Sequence, residues 1–538
     1  MLHGDKDVAK RSSYERYDLL VAFLVNSILV ILTCVCLTPQ WETNDDAAMA
    51  MIVNGKGLVA EASSQLIFSN LFWGQIIRLS TLVFGYFGYS IGIFGSVVVS
   101  GTVIYYTLRK SGCLHSLCIA VITLISLRPL LLPQFTLSAG LSMIAALCLL
   151  QLFARTQKPF FLLVSCVLAY ISYVIRSQEA ALVVIVALPT FATRSLFKQR
   201  KVRAAALCIA IAMIGSSIVD YLSYQSSDWK AFNEINLARA PYTDFGAGAL
   251  LEKRPDIYEA QGLSSNDATL VTGWGLYAVP SLATPAVLEA MLAGLGFQIV
   301  GHSVIQNLSL ALAALASPYL KFLFISAIVA LMFCQRRRPV LISWFLFICV
   351  VFLLGILGRP AIFRVYYPLL GWLLVAPMLS NVGEIRQRVA SLIFTAALIG
   401  NAISVYTQLN ATPPFDGTEL TGLKSLDREP LYVWGGLFPF ETAFSPTHDP
   451  TSIINLRIYG FGVFTPAPFS VASHESAKGK PFERQILLPQ GLFIMASDQD
   501  LSTLAIYCKE HHEGELHIDR VGAINEYPIQ KVRCTPSP

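Results

Sequence analysis

Apolar runs of about 17 to 26 residues recur along this chain, separated by short polar connections. Such runs begin near residues 19, 81, 113, 134, 159, 180, 204, 314, 340, 365 and 389, and each is long enough to cross a hydrocarbon core of roughly 30 Å as a helix. The pattern therefore predicts an α-helical polytopic membrane protein with about 11 transmembrane helices. It changes after Tyr406. The remaining chain is rich in Pro, Gly and aromatics, and carries short strand-like pieces at Leu431 to Trp434, Ile486 to Leu488 and Leu504 to Tyr507. We expect a transmembrane module over residues 1–406, with long loops at about 39–80 and 224–284, and a small external α/β domain over 407–538.

Alternate connections hold the basic residues: Arg109 and Lys110; Arg155 and Lys158; Lys198, Arg200, Lys201 and Arg203; Arg336 to Arg338; Arg386 and Arg388. The positive-inside rule makes these cytoplasmic, which places the N-terminus inside and the C-terminus outside. Only 14% of the 538 residues are charged, and 54% are hydrophobic. The net charge of +5 follows from this topology and does not indicate nucleic-acid binding. The first eighteen residues mix Lys6, Lys10, Arg11 and Arg16 with four acids and lack a signal-peptide cleavage pattern, so the first span is expected to be retained. Most of the 11 cysteines lie in apolar runs at no metal-ligand spacing. Cys508 and Cys534 are the two beyond the last span, on the side where an oxidising compartment permits a disulfide.

The acidic pair Asp45-Asp46 stands in the polar stretch after the first span. Thr43 or Asn44 can cap a helix there, Met49, Ile52 and Val53 supply an apolar face for the membrane surface, and Gly55 can end it in a left-handed conformation. Acids in a first helical turn also complement the macrodipole and need no further purpose. Arginines at the external ends of spans, Arg78, Arg128, Arg176, Arg359 and Arg364, break the charge asymmetry. They can snorkel to headgroups, pair with an acid such as Glu179, or bind an anion. The densest group is Gly358-Arg359-Pro360-Ala361-Ile362-Phe363-Arg364-Val365-Tyr366-Tyr367-Pro368. Trp41, Trp73, Trp229 and Trp274 sit near external interfaces, where tryptophan anchors spans or stacks on sugars. Asp267, in Gly262-Leu263-Ser264-Ser265-Asn266-Asp267, reads as part of a capped helix start or as an acceptor contact.

An acidic pair in the first external loop of a polytopic protein with an external C-terminal domain resembles the GT-C superfamily of membrane glycosyltransferases. A second resemblance is to an uncharacterised bacterial membrane protein family with Asn-Asp-Asp after the first span, here Asn44-Asp45-Asp46, and a later Trp-x-x-Phe-x-x-x-Asn-x-x-Arg run, here Trp229 to Arg239. These resemblances imply a GT-C-like fold in a bacterial inner membrane. They also imply transfer of a sugar from a polyprenyl-phosphate donor to a glycan, lipid or protein acceptor at the external, periplasmic face. On that reading Asp45 is the general base and Asp46 orients it, binds a sugar hydroxyl or holds a metal. Arg359, Arg364, Arg176 and Tyr366 receive the donor phosphate, and Trp41, Asn44, Arg239 and Asp267 contact substrate. No cofactor is assigned, and a divalent cation (Mg, Mn or Ca) at the acidic pair is an open alternative. An oligosaccharide polymerase or ligase using diphosphate carriers, and a lipid-linked sugar flippase, are the alternatives.

Overall fold

Among the described residues, six helical segments are long and apolar enough to cross a membrane: Tyr17–Cys36, Leu71–Lys110, Phe135–Thr156, Arg200–Ser223, Arg337–Ile356 and Ile385–Leu409. The computed structural model describes residues 2–191, 194–297, 304–335, 337–379, 383–411, 415, 429–450, 453, 455–524 and 527–536. Val304–Ala316 and Lys321–Phe333 make a seventh span if taken together, bent by 78°. The apolar run near 314 is thus interrupted rather than continuous. Pro318 has no N–H to continue the ladder, and its carbonyl accepts from the Ser404 hydroxyl at 2.7 Å instead. The other predicted spans are helices of 15 to 17 residues, His115–Leu131, Pro159–Ile175, Ser177–Phe191 and Phe363–Met378. At 1.5 Å per residue they cover about 22 to 26 Å.

The second apolar segment starts earlier than its hydropathy suggests. Asn70 caps helix Leu71–Phe84 by accepting from the Phe72 amide. Gln75 and Arg78 in that helix are exposed while Trp73 and Ile77 are buried, so polar residues that lower the local hydropathy occupy one face.

Chain contacts define two compact units, described separately. The first comprises Met1–Asp46, Ile67–Asp220 and Ser303–Thr412. Its centre is helix Phe135–Thr156, buried from Phe135 through Leu149. Ser138, Ala139, Gly140, Ser142, Ala145 and Ala146 let neighbouring backbones approach closely, as small residues do between helices in lipid. Ser172 donates to the Ala139 carbonyl and Ser165 to the Ala146 carbonyl, both at 2.7 Å. Peripheral helices keep apolar side chains exposed: Leu20, Phe23 and Ile31 on one, and Leu207, Ile211 and Ile218 on another. That is the distribution expected where the solvent is hydrocarbon.

The second unit comprises Ala47–Leu66, Tyr221–His302 and Pro413–Pro538. Its sheet has β1 (Leu431–Trp434), β2 (Ile458–Phe461), β3 (Leu492–Met495), β4 (Gly514–Ile524) and β5 (Tyr527–Pro536), in the order β2-β1-β3-β5-β4. β1 is parallel to β2 and β3, whereas β5 is antiparallel to β3 and β4. The fully buried β1 accords with its unbroken apolar sequence. Two expected strand pieces are not strands. Leu504 to Tyr507 lies in helix Asp498–His512, which a Ser497–Asp500 capping box starts. Ile486 to Leu488 forms the turn after helix Phe482–Gln485. Cys508 and Cys534 are disulfide-bonded, joining helix Asp498–His512 to β5.

Gly140 is the tightest test of the central packing, because a Cβ there would overlap the Pro368 ring. Gly140→Ala should lower stability by about 1–3 kcal/mol. Thermal unfolding in detergent should show a lower midpoint, whereas Gly95→Ala, where the added carbon meets nothing within 4 Å, serves as a neutral control.

Candidate functional site

The acidic pair begins helix Asn44–Asn54, and Gly55 ends it with φ of 67°. The structure departs from a surface-lying amphipathic helix, since residues Ala47 through Val53 are all buried. A residue step of about 100° separates the two acids around the helix. Asn44 is exposed and Asp45 is half-buried, while Asp46 is completely buried.

Within the first unit, Asp46 is a hub. Its Oδ1 accepts from the Tyr89 hydroxyl at 2.9 Å and from the Phe135 amide at 3.0 Å, and its Oδ2 meets the Thr43 hydroxyl at 3.1 Å. Trp41 is buried with its ring centroid 5.3 Å from that of Tyr89. Burial drives the Asp46 carboxyl up to about 8, partly offset by the Tyr89 hydrogen bond; the Asp45 charge raises it and the Phe135 and Thr43 bonds lower it. Burial thus favours the neutral form of Asp46.

Asp45 Oδ2 lies 3.6 Å from Arg364 Nη1, an ion pair too long for a hydrogen bond. Arg176, mostly buried between helices Pro159–Ile175 and Ser177–Phe191, stacks its guanidinium over Phe135 at 4.9 Å. Burial and the Arg364 charge oppose its cationic form, and Glu179, Asp45 and Asp46 favour it. Among the described residues neither Arg364 nor Arg176 has a side-chain hydrogen bond, so their N–H groups remain available to an anion. Beside Arg176 is a 150 Å³ cavity bordered by Asn70, Tyr173, Ser177, Gln178 and Asp220. Glu179 is fully buried, and among the described residues neither carboxyl oxygen has a hydrogen-bond partner.

Arg359 is exposed in the turn before helix Phe363–Met378. Tyr366 follows Arg364 by two residues, about 200° around the helix, and is buried edge-on to Phe347 at 6.4 Å. Arg128 is internal rather than presented at the surface: it bonds Glu42 at 2.7 Å and Gln408 at 2.8 Å and lies over Tyr319. Trp41, Trp73 and Trp229 are buried and do not form a headgroup belt.

Arg239 and Asp267 belong to the second unit. Arg239 is buried and engaged by Asn236 at 2.8 Å, Thr243 at 2.6 Å, Asp244 at 3.5 Å and the Trp274 ring at 5.1 Å. Asp267 closes a capping box with Ser264, and its other oxygen is 2.8 Å from His511 Nε2. Both are held in local structural roles. With Glu510, the Asp267–His511 pair forms the group of metal-type ligand atoms found among the described residues. Glu510 there accepts from Ser264 at 2.8 Å, so the three read as a tie between two helices.

A divalent cation does not fit the acidic pair. Asp46 has both oxygens turned to protein partners, and Arg364 and Arg176 already supply positive charge beside the pair. Tyr89 and the Phe135 amide carried no local signal in the sequence, being 43 and 89 positions from Asp46. Glu179 was visible only as an acid near external arginines. Comparison with family models, with curated proteins and with solved structures finds no match.

The raised Asp46 carboxyl makes stability depend on pH. Its folded value exceeds the unfolded 3.8, so the stability this group contributes is fully present below about pH 4 and is lost as pH rises towards 8, by up to about 1.4 kcal/mol per unit. Asp46→Asn should remove this slope in thermal unfolding scans from pH 5 to 9, because an amide imitates the neutral acid. Asp46→Ala should cost about 1–3 kcal/mol for each donor it orphans.

Proposed function

We propose that the chain is a GT-C-type membrane glycosyltransferase that transfers a sugar from a polyprenyl-phosphate donor to an acceptor at the external face. The observation that carries this reading is the meeting of Asp45, Asp46, Arg176 and Arg364. They come from three segments distant in sequence, and they place a carboxylate beside two guanidinium groups with available donors. Acid-base chemistry on a hydroxyl and stabilisation of a phosphate leaving group need that combination.

In this reading Asp45 accepts the proton of the acceptor hydroxyl as its oxygen bonds to the anomeric carbon. The bond from that carbon to the phosphate oxygen breaks, and the departing polyprenyl phosphate keeps the electron pair. Arg364 and Arg176 stabilise the charge that develops there. The arriving phosphate competes with Asp45 for Arg364, which loosens the ion pair and frees Asp45 to act as base. Neutral Asp46 anchors the helix start and holds Asp45 in place without adding a second negative charge near the donor. The eleven-span topology, with a cytoplasmic N-terminus in a bacterial inner membrane, belongs to the same proposal.

Transfer from polyprenyl-phosphate sugars to membrane extract, measured in nanodiscs, tests it. Asp45→Asn should reduce transfer about 10²- to 10⁴-fold, and Arg364→Ala by at least about 10²-fold, with insertion and folding intact. Full transfer by Asp45→Asn would sink the assignment. Movement of lipid-linked sugar across the bilayer without donor consumption would put transport in its place.

A further inference from the structure

The second unit contains a cavity of 330 Å³ whose charged lining is entirely basic. Lys56, Arg457, His474 and Lys478 border it, with Asn455 as a neutral polar neighbour, and no carboxylate is among its lining residues. Pockets of this size accommodate small organic ligands. Concentrated like charge is unfavourable without an anion, and such a concave cluster attracts one.

The sequence builds this site from three pieces. Lys56 sits between Gly55 and Gly57, with φ of 67° and 63°. A Cβ at Gly57 would overlap the Met51 sulfur, and one at Gly55 would meet the Ala62 amide at 2.9 Å. Both glycines are thus needed for the loop that presents Lys56. The loop is fixed to the sheet, since the Ile458 amide donates to the Gly57 carbonyl at 2.9 Å and the Val471 amide to the Leu58 carbonyl at 3.0 Å. Arg457 precedes β2, and helix Val471–Ala477 and the residue after it supply His474 and Lys478.

One acid stands behind this cluster. Glu475 is 5% exposed and bonds Arg457 Nη2 at 2.7 Å and Lys478 Nζ at 3.3 Å. It orients both cations but neutralises only one of the three full positive charges. Lys56 Nζ has a weak 3.4 Å contact with Asn455. Among the described residues, Arg457 hydrogen-bonds Glu475 through Nη2 alone, which leaves other guanidinium donors for a ligand.

We infer that this cavity binds a phosphoryl group carried by a small polar molecule, with Lys56, Arg457 and Lys478 as its ligands. Several convergent donors and an excess of two positive charges suit a tetrahedral dianion better than a neutral sugar. The volume leaves room for the moiety that bears the phosphate. The inference does not depend on glycosyl transfer at Asp45, because neither its residues nor its probes involve that site.

Calorimetry on the full chain in detergent, at fixed ionic strength, provides the test. Inorganic phosphate, glucose 1-phosphate and dihexanoyl phosphatidic acid are the probes, with glucose as the uncharged control. Binding of a phosphorylated probe but not glucose, weakened at least tenfold in both Lys56→Gln and Lys478→Gln, is expected. These exposed or half-buried positions avoid stranding Glu475, as Arg457→Ala would. Preference for glucose 1-phosphate would assign a soluble or glycan-borne phosphate, and preference for phosphatidic acid a lipid headgroup. No binding by any phosphorylated probe, or binding undiminished from the unchanged protein in both variants, would overturn the site.

Discussion

Burial of the Asp46 carboxyl constrains the whole membrane unit. In an apolar interior this group needs hydrogen-bond partners, and Tyr89 and Phe135 from two distant segments, with neighbouring Thr43, supply them. Tyr89 belongs to a long apolar helix, Phe135 opens the central helix, and Thr43 precedes the acidic pair. Moving any of these segments would leave a polar group unsatisfied. Phe135 is especially dependent on it, because first-turn amides lack intrahelical acceptors. Asp46 takes that amide, while Gln134 accepts those of Thr136 and Leu137. Asp46, expected to orient the base, bind a sugar hydroxyl or hold a metal, is bonded to the protein framework, while its neighbour Asp45, a helical step away, faces Arg364.

The arginines divide by the same criterion. Arg128 and Arg239 are buried and bonded, respectively to Glu42 and Gln408 and to Asn236 and Thr243. Such buried, side-chain-bonded guanidinium groups fasten segments, and removing a partner strands a buried charge. Arg364 and Arg176 instead show electrostatic or ring contacts without hydrogen bonds among the described residues. Position at the end of an apolar run could not separate these classes in the sequence. Side-chain partners do: Arg128 is held by Glu42 and Gln408, whereas Arg364 meets Asp45 only through a 3.6 Å ion pair and Arg176 lies over the Phe135 ring.

Local signals were legible. The acidic pair at a helix start, Gly55 at its end, the apolar runs, the β1 strand and the cysteine pair could each be read from neighbouring residues. What escaped depends on contacts distant along the chain. Nothing near Tyr89 announces its bond to Asp46, and nothing near Ser317 gives the angle of the bend in the segment around Pro318. Leu504 to Tyr507 was misread because a short apolar run fits a strand or a helix, and the deciding cap lies seven residues before Leu504 at Ser497. Tyr366 was assigned with Arg364 by proximity in sequence, although a two-residue step turns it into the core.

The cavity around Lys56 shows the limit of reading chemistry from runs of charge. Lys56, Arg457 and Lys478 are scattered over more than 400 positions, and none sits in a basic cluster. Two positive-φ glycines and a sheet contact bring Lys56 to the others, while buried Glu475 aims two of them. Both candidate sites follow one physical rule: an internal acid fixes the geometry and is itself satisfied, while nearby cations retain donors for an external anion. At Asp46 burial favours the neutral acid, and a second carboxylate, Asp45, remains beside Arg364. At Glu475 no second carboxylate lines the cavity, so that arrangement has the chemistry to bind an anion but no comparable base to act on one.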